Sequence, residues 1–220
     1  MTVERLTKAA VAHHALRLGD EEGPEAVTIR RLAKDLGVTP MALYWHFKNK
    51  DELLLGIVDY ALTGIQSDRS ATDPWQVQLR AMIEALVGVM RAHPSLPVLL
   101  TSVEKEQAES FSRATNDALA LLTQAGFTVE ESYWAASYLL YGAMGLVAWQ
   151  PGCPAQVPKG EEAEWRRQRR LGLERLPEDQ FPMLIAFAGT YATEPDLDRY
   201  FTFGINLLLS AIEATAPATS

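Results

Sequence analysis

The chain of 220 residues carries 20 Lys and Arg against 28 Asp and Glu, a formal net charge of −8, with 48% hydrophobic and 22% charged residues. That composition fits a globular protein of one or two domains, and no apolar run reaches the roughly 18 residues of a membrane span, so membrane-spanning and disordered classes are excluded. The single Cys153 leaves no internal disulfide framework, and the polar start of the chain lacks the apolar stretch of an export signal, so a cytoplasmic location is expected. The charge is uneven: residues 1–50 hold eight Lys and Arg against six Asp and Glu, a balance of +2, whereas residues 51–220 hold twelve against twenty-two, a balance of −10. A small basic end on an acidic body predicts that the first part meets an anionic partner.

Helix signals recur along the chain and alternating β-branched runs are missing, which predicts an all-α fold. A first helix is expected over residues 7–22, stopped by Gly23-Pro24; a second follows Thr28, turns Ile29, Leu32, Ala33 and Leu36 inward and ends at Gly37. Thr39 is placed as an N-cap with Pro40 at the first helical position of a short third helix through His46. Asn49, with Glu52 three positions on, starts a fourth helix through Leu53, Leu54, Ile57 and Val58 to about Gln66. Polar residues before Pro74 mark a boundary, giving domains of residues 1–66 and 67–220. Further helices are expected from a start at Asp73-Pro74-Trp75-Gln76 to an end at His93-Pro94, and over residues 96–101 and 104–125, and Thr128 with Glu131 forms a capping box for one reaching Trp149. A loop follows over residues 151–160, and two or three helices close the chain, the last over residues 196–214.

Two short helices separated by a tight turn at Gly37 fit a helix-turn-helix, whose second helix lies in the major groove of DNA. The runs Val27-Thr28-Ile29-Arg30-Arg31-Leu32-Ala33, Leu36-Gly37-Val38 and Leu43-Tyr44-Trp45-His46-Phe47-Lys48-Asn49-Lys50 closely resemble the DNA-binding domain of TetR-like repressors, over roughly residues 5–60. A looser likeness to the regulatory domain of tetracycline repressors continues in Ala125-Gly126-Phe127 and around Phe203-Gly204-Ile205. Lys48, Lys50, Tyr44 and His46, with the first amides of the helices that start at Thr28 and Thr39, suit phosphate contacts that position the protein without reading sequence. Arg30 can present a bidentate fork to guanine, as the resemblance also implies. Pro40, Met41 and Ala42 offer thymine methyls an apolar contact and donate no side-chain hydrogen bond; Trp45 is open between DNA contact and core. Leu43 and Phe47 read as core of the three-helix head.

A two-fold DNA reader needs a dimer to span successive grooves. Ala135, Leu139, Gly142 and Ala143 recur at helical spacing with little bulk, and the last helix presents Phe201, Gly204, Ile205, Leu208 and Ile212. The resemblance implies that these two helices of each subunit form a four-helix bundle; an ordinary intramolecular core is the alternative. Residues able to wall an effector cavity are Met82, Leu86, Met90, Phe111, Tyr138, Tyr141, Met144, Trp149, Trp165 and Phe187, with His93, Gln107 and Asn116 as polar anchors, and core packing as the competing reading for each. Where the resemblance implies a magnesium-binding histidine in tetracycline repressors, this chain has Leu99, so no metal or other cofactor is expected and the effector should be a metal-free, flat or macrocyclic hydrophobic compound. The basic run of residues 165–170 follows four mostly acidic residues and reads as a solvated face, with Glu162 pairing Arg166 and Arg170 pairing Glu174.

The sequence therefore predicts an all-α homodimeric repressor: an N-terminal three-helix helix-turn-helix domain on a larger C-terminal helical domain for ligand binding and dimerisation. Its partners would be a palindromic double-stranded DNA operator and a hydrophobic small molecule, with no membrane. An enzyme is disfavoured because no nucleophile motif, metal-ligand spacing or phosphate loop is present. A helical interaction protein that never touches DNA is the remaining alternative.

Overall fold

The computed structural model describes residues 6–63, 65, 70–154 and 157–217, and among these every regular element is helical. The reading head comprises α1 (Lys8–Glu22), α2 (Ile29–Asp35), α3 (Pro40–Tyr44) and α4 (Lys50–Leu62). Each starts on a side-chain cap written in its sequence. Thr7, Thr28 and Thr39 accept from the amides of Ala10, Arg31 and Ala42, and Asn49 accepts from that of Glu52, so each helix start has one of its four orphan donors satisfied. Between α2 and α3 the chain reverses through Gly37 at φ 66, with the Val38 amide donating to the Ala33 carbonyl, a closing bond that needs the left-handed conformation glycine tolerates.

The rest of the described chain holds α5 (Trp75–Ala92), α6 (Leu96–Ser102), α7 (Glu109–Gln124), α8 (Val129–Ala148), α9 (Glu162–Glu174), α10 (Pro182–Ala188) and α11 (Leu197–Thr215), with short 3-10 turns at Pro24–Ala26, Lys105–Gln107 and Gly189–Ala192. Two compact units result: one runs to Ala148 and resumes at Ile205, the other is Trp149–Gly204. The boundary expected between residues 66 and 67 lies outside the described residues, as does the expected end of the fourth helix near Gln66. No single described helix is long and apolar enough to cross a membrane.

One expected start is corrected. The helix foreseen from Glu104 instead opens with the 3-10 turn Lys105–Gln107, and α7 begins at Glu109. Its own N-cap position, Ala108, has no capping side chain; Asp59 of α4 supplies the cap by accepting from the Ser110 amide at 2.8 Å and the Ser110 hydroxyl at 2.8 Å. A carboxylate there satisfies first-turn donors and opposes the positive end of the helix.

In the first unit α4 packs on α1 and also on α5, α6 and α7, burying Leu53, Leu54, Ile57, Val58, Ala61 and Leu62. A second carboxylate ties α1 to the turn between α5 and α6: Asp20 accepts from the Ser95 amide and hydroxyl at 3.0 and 2.7 Å and meets His93 Nδ1 at 2.7 Å. In the second unit α9 and α10 pack together around Trp165, Phe187 and Tyr191, whose rings meet edge to face at 6.0 and 5.6 Å.

Two glycines allow close approach. A Cβ on Gly56 of α4 would lie 2.5 Å from Cε1 of Phe47, a ring only 2% exposed; a Cβ on Gly142 of α8 would lie 2.5 Å from Cδ2 of the half-buried Leu208. Gly56→Ala is expected to lower stability by about 1–3 kcal/mol through overpacking, despite the ~1 kcal/mol gain in helix propensity, because the Phe47 ring has nowhere to turn. Gly142→Ala should be near neutral, since Leu208 can rotate aside. Urea unfolding of both variants at one protein concentration checks the contrast.

Candidate DNA-reading face and effector cavity

The head separates its aromatic residues by helical phase. Leu43 and Phe47 are 0% and 2% exposed and fill the core between the helices, while Trp45 stands 84% exposed, beside Met41 at 67% and Tyr44 at 45%. Pro40, Lys48 and Lys50 are also exposed, and Thr39 caps α3 from the same side; Ala42 and His46 are half-buried. A five-residue helix thus offers a surface of apolar and aromatic groups bordered by two lysines.

Neighbouring arginines of α2 have opposite fates. Arg31 donates to both carboxylate oxygens of Glu22, at 2.7 and 2.5 Å, and to Asp35 at 2.8 Å. Those bonds raise the Arg31 pKa above its usual range and hold the Glu22 carboxyl below its own, so this guanidinium is committed to fastening α1 to α2. Arg30 points to solvent and has no hydrogen-bond or ionic partner among the described residues. Thr28 is half-buried because its hydroxyl caps α2.

Within the first unit a cavity of about 150 Å³ is walled by α5, α7 and α8 and by the end of α4. Of the residues expected there, Met82, Leu86, Phe111 and Tyr141 line it. Its further lining includes Leu62, Leu79, Ile83, Ala118, Tyr133, Ala136, Ser137 and Leu140, with Lys105 and Glu106 from the 3-10 turn. Tyr133, Ala136, Ser137, Leu140 and Tyr141 recur at three- and four-residue steps, a helical stripe readable in the sequence. The volume suits a flat ring system; a macrocycle is too large for it unless the walls open.

The other expected lining residues lie elsewhere. Met90 is fully buried and Met144 8% exposed, both packed in the core off the cavity. His93 is held by Asp20, Gln107 donates to Glu104, and Asn116 faces solvent on α7. Tyr138 and Trp149 are 73% and 84% exposed. Trp165 and Phe187 line a separate cavity wholly inside the second unit, with Tyr191, Arg166 and Arg199. On α9, Arg170 pairs with Glu174 at 3.2 Å as read from the sequence, but Arg166 meets Glu194 at 3.4 Å while Glu162 accepts from the Gly160 amide. Hydrogen bonds from Arg167 and Gln168 bring the Glu164 carboxyl down to about 2.

The small-residue stripe of α8 turns into its own chain. Ala135, Leu139 and Ala143 are 7%, 2% and 0% exposed, and Leu139 borders the cavity. Gly142 receives Leu208 of α11 from the same chain, and Ile205 and Ile212 are buried, as are Phe201 and Gly204 at the α11 end that belongs to the second unit. Trp134, Tyr138 and Tyr141 of α8, and Phe203 and Leu207 of α11, carry the exposed apolar surface instead. Within the chain, Gly142 is the small residue of this stripe that meets another helix closely, at Leu208 of α11.

Residues 12–57 match the family described as bacterial regulatory proteins, tetR family, and residues 69–216 match the tetracyclin repressor-like C-terminal domain. The tetracycline repressor protein class C of Escherichia coli is 29% identical over 221 aligned positions, covering 96% of this chain and 92% of that protein. The crystal structure of the Streptomyces coelicolor TetR family protein ActR in complex with actinorhodin is similar at a TM-score of 0.78 and 25% identity, over 97% of this chain and 99% of that one. BioQ, crystallised with its double-stranded DNA operator, shares the fold at a TM-score of 0.61 and 23% identity, over 96% and 99% of the two chains. With a tight helix-turn-helix head, an apolar cavity behind it, and both family domains matched across most of its length, the chain belongs to the TetR family of bacterial transcriptional repressors, proteins with a DNA-binding and a ligand-binding domain.

Proposed function

We propose that this protein is a homodimeric repressor that holds a two-fold operator through α2 and α3 and leaves it when a hydrophobic small molecule enters the cavity of the first unit. The observation that carries this reading is the double role of α4: its last residue, Leu62, walls the cavity, and its Asp59 caps α7, whose Phe111 walls the same cavity. A ligand that moves α7 or the end of α4 therefore acts on a helix packed against α1 of the reading head. Changing the separation of two recognition helices by a few ångströms is enough to miss successive major grooves, which lie about 34 Å apart. The known complexes of the related ActR with actinorhodin and of BioQ with an operator support effector and DNA as the two classes of partner.

In this reading residues 1–66 form the DNA-binding domain and residues 67–220 the effector and dimer domain. Arg30, uncommitted beside the anchored Arg31, reads a guanine; Lys48, Lys50, Tyr44, His46 and the capped starts at Thr28 and Thr39 hold phosphates; Pro40, Met41, Ala42 and Trp45 make apolar contacts in the groove. The dimer forms on the exposed aromatic side of α8, at Trp134, Tyr138 and Tyr141, with Leu207 of α11, rather than on the buried small residues.

Operator selection from random DNA tests the reading. Arg30→Ala should relax preference at one base pair per half-site and cost about 1–3 kcal/mol, whereas Lys50→Ala should weaken every operator alike and reduce the salt slope by roughly one. Unchanged base preference in Arg30→Ala would remove that residue from readout. Sedimentation at micromolar concentration should find the parent dimeric and Tyr138→Asp monomeric, with operator affinity lost in step, because the substitution buries an unpaired charge. Asp59→Ala should cost about 1 kcal/mol of stability as a lost helix cap and shrink the factor by which ligand weakens operator binding; an undiminished factor would show that coupling bypasses Asp59.

A further inference from the structure

Lys105 is the one cationic residue among the described residues that line the cavity, on a wall that is mostly apolar but also carries Glu106, Thr115 and Ser137. Its side chain is only 17% exposed, and its ammonium lies 5.7 Å from the centroid of the Phe111 ring and 3.4 Å from Glu106 Oε1. The Glu106 side chain is 63% exposed, so its carboxylate is free to turn into water at little cost. The Lys105 side chain, by contrast, is mostly covered and borders the same cavity as Leu79, Met82 and Ile83, so its charge has little water to return to.

We infer that the effector is an aromatic acid, and that Lys105 is the residue that selects it by pairing with the carboxylate while Phe111 and the aliphatic wall hold the ring. This rests on the cavity being the effector site. An entering carboxylate replaces Glu106 as the counter-ion, in a drier setting where the pair is worth more than at the surface. A neutral ring compound offers the ammonium no counter-charge and a cationic one is repelled, so both are selected against. The same residue is placed to report occupancy. The Ala108 amide donates to the Lys105 carbonyl at 2.9 Å, the Ser112 hydroxyl to the Glu106 carbonyl at 2.7 Å, and Ser110 between them is fastened to Asp59 of α4. A ligand that draws Lys105 inward pulls on the turn that α4 is tied to.

The test pairs naphthalene-2-carboxylate with its methyl ester, titrated by calorimetry into the full-length parent, Lys105→Met, Lys105→Arg, Glu106→Gln and Ala118→Trp, the last filling the cavity. The parent should bind the acid at least tenfold tighter than the ester. Lys105→Met should abolish that preference without weakening the ester, Lys105→Arg should retain it, and Glu106→Gln should tighten the acid alone by several-fold. Equal binding of acid and ester to the parent, or a preference that survives in Lys105→Met, overturns the role of Lys105 and leaves the cavity reading standing if Ala118→Trp abolishes both. No binding of either compound, or binding that Ala118→Trp leaves intact, overturns the cavity as the site and the inference with it.

Discussion

The carboxylate of Asp59 sits at the first turn of α7, and the placement of the reading head relative to the cavity depends on it. Helix starts carry unpaired amides and partial positive charge, and most are closed by a side chain a residue or two away. Here the closing group comes from another helix, 51 positions earlier. An aspartate has few rotatable bonds, and this one binds both the amide and the hydroxyl of Ser110, so α4 and α7 cannot slide past each other without breaking the cap. Asp20 does for α1 what Asp59 does for α4, gripping the Ser95 amide and hydroxyl and the His93 ring. The two long helices of the head are each fastened by one short acid.

The parts of the fold that are legible in the sequence are those decided within four residues. Thr7, Thr28, Thr39 and Asn49 cap the helices they precede, and Thr128 and Glu131 form the reciprocal box read from their spacing. The start of α7 escapes a local reading because its cap is tertiary. Arg31 has a local partner in Asp35 four residues on, where Arg30 faces Lys34, but the bidentate pair that commits Arg31 is made by Glu22, nine residues away. In the body, hydrophobic spacing identifies buried helices but not their facing. Met82 and Met90 stand eight apart on α5, yet one reaches the cavity and the other only the core. Lys105 gives no signal of its own, because a lone lysine beside a glutamate looks like solvated surface until the chain folds it against Phe111.

Charge distribution adds a constraint of a different range. Residues 1–50, which hold α1 to α3, carry a balance of +2 and residues 51–220 one of −10, so most of the chain is repelled by the polyanion that α2 and α3 would approach. Approach is thereby oriented before any contact forms, and the affinity that remains must come from few cations. In the proposed reading, operators would be discriminated by fit and by the deformability of DNA more than by the number of hydrogen bonds donated, since Pro40, Met41 and Ala42 donate none from their side chains.

Gly56 has a mechanical meaning beyond its packing. With no Cβ at that position the Phe47 ring rests directly on the backbone of α4, a contact with almost no compliance, whereas a longer residue would have put rotatable bonds between them. Flexible intermediates absorb displacement; a ring against a backbone passes it on. In the proposed switch, small shifts of α4 would thus reach Phe47, three residues beyond the end of α3, nearly undamped, and its sensitivity would be limited by how far α4 moves and not by slack in the joint.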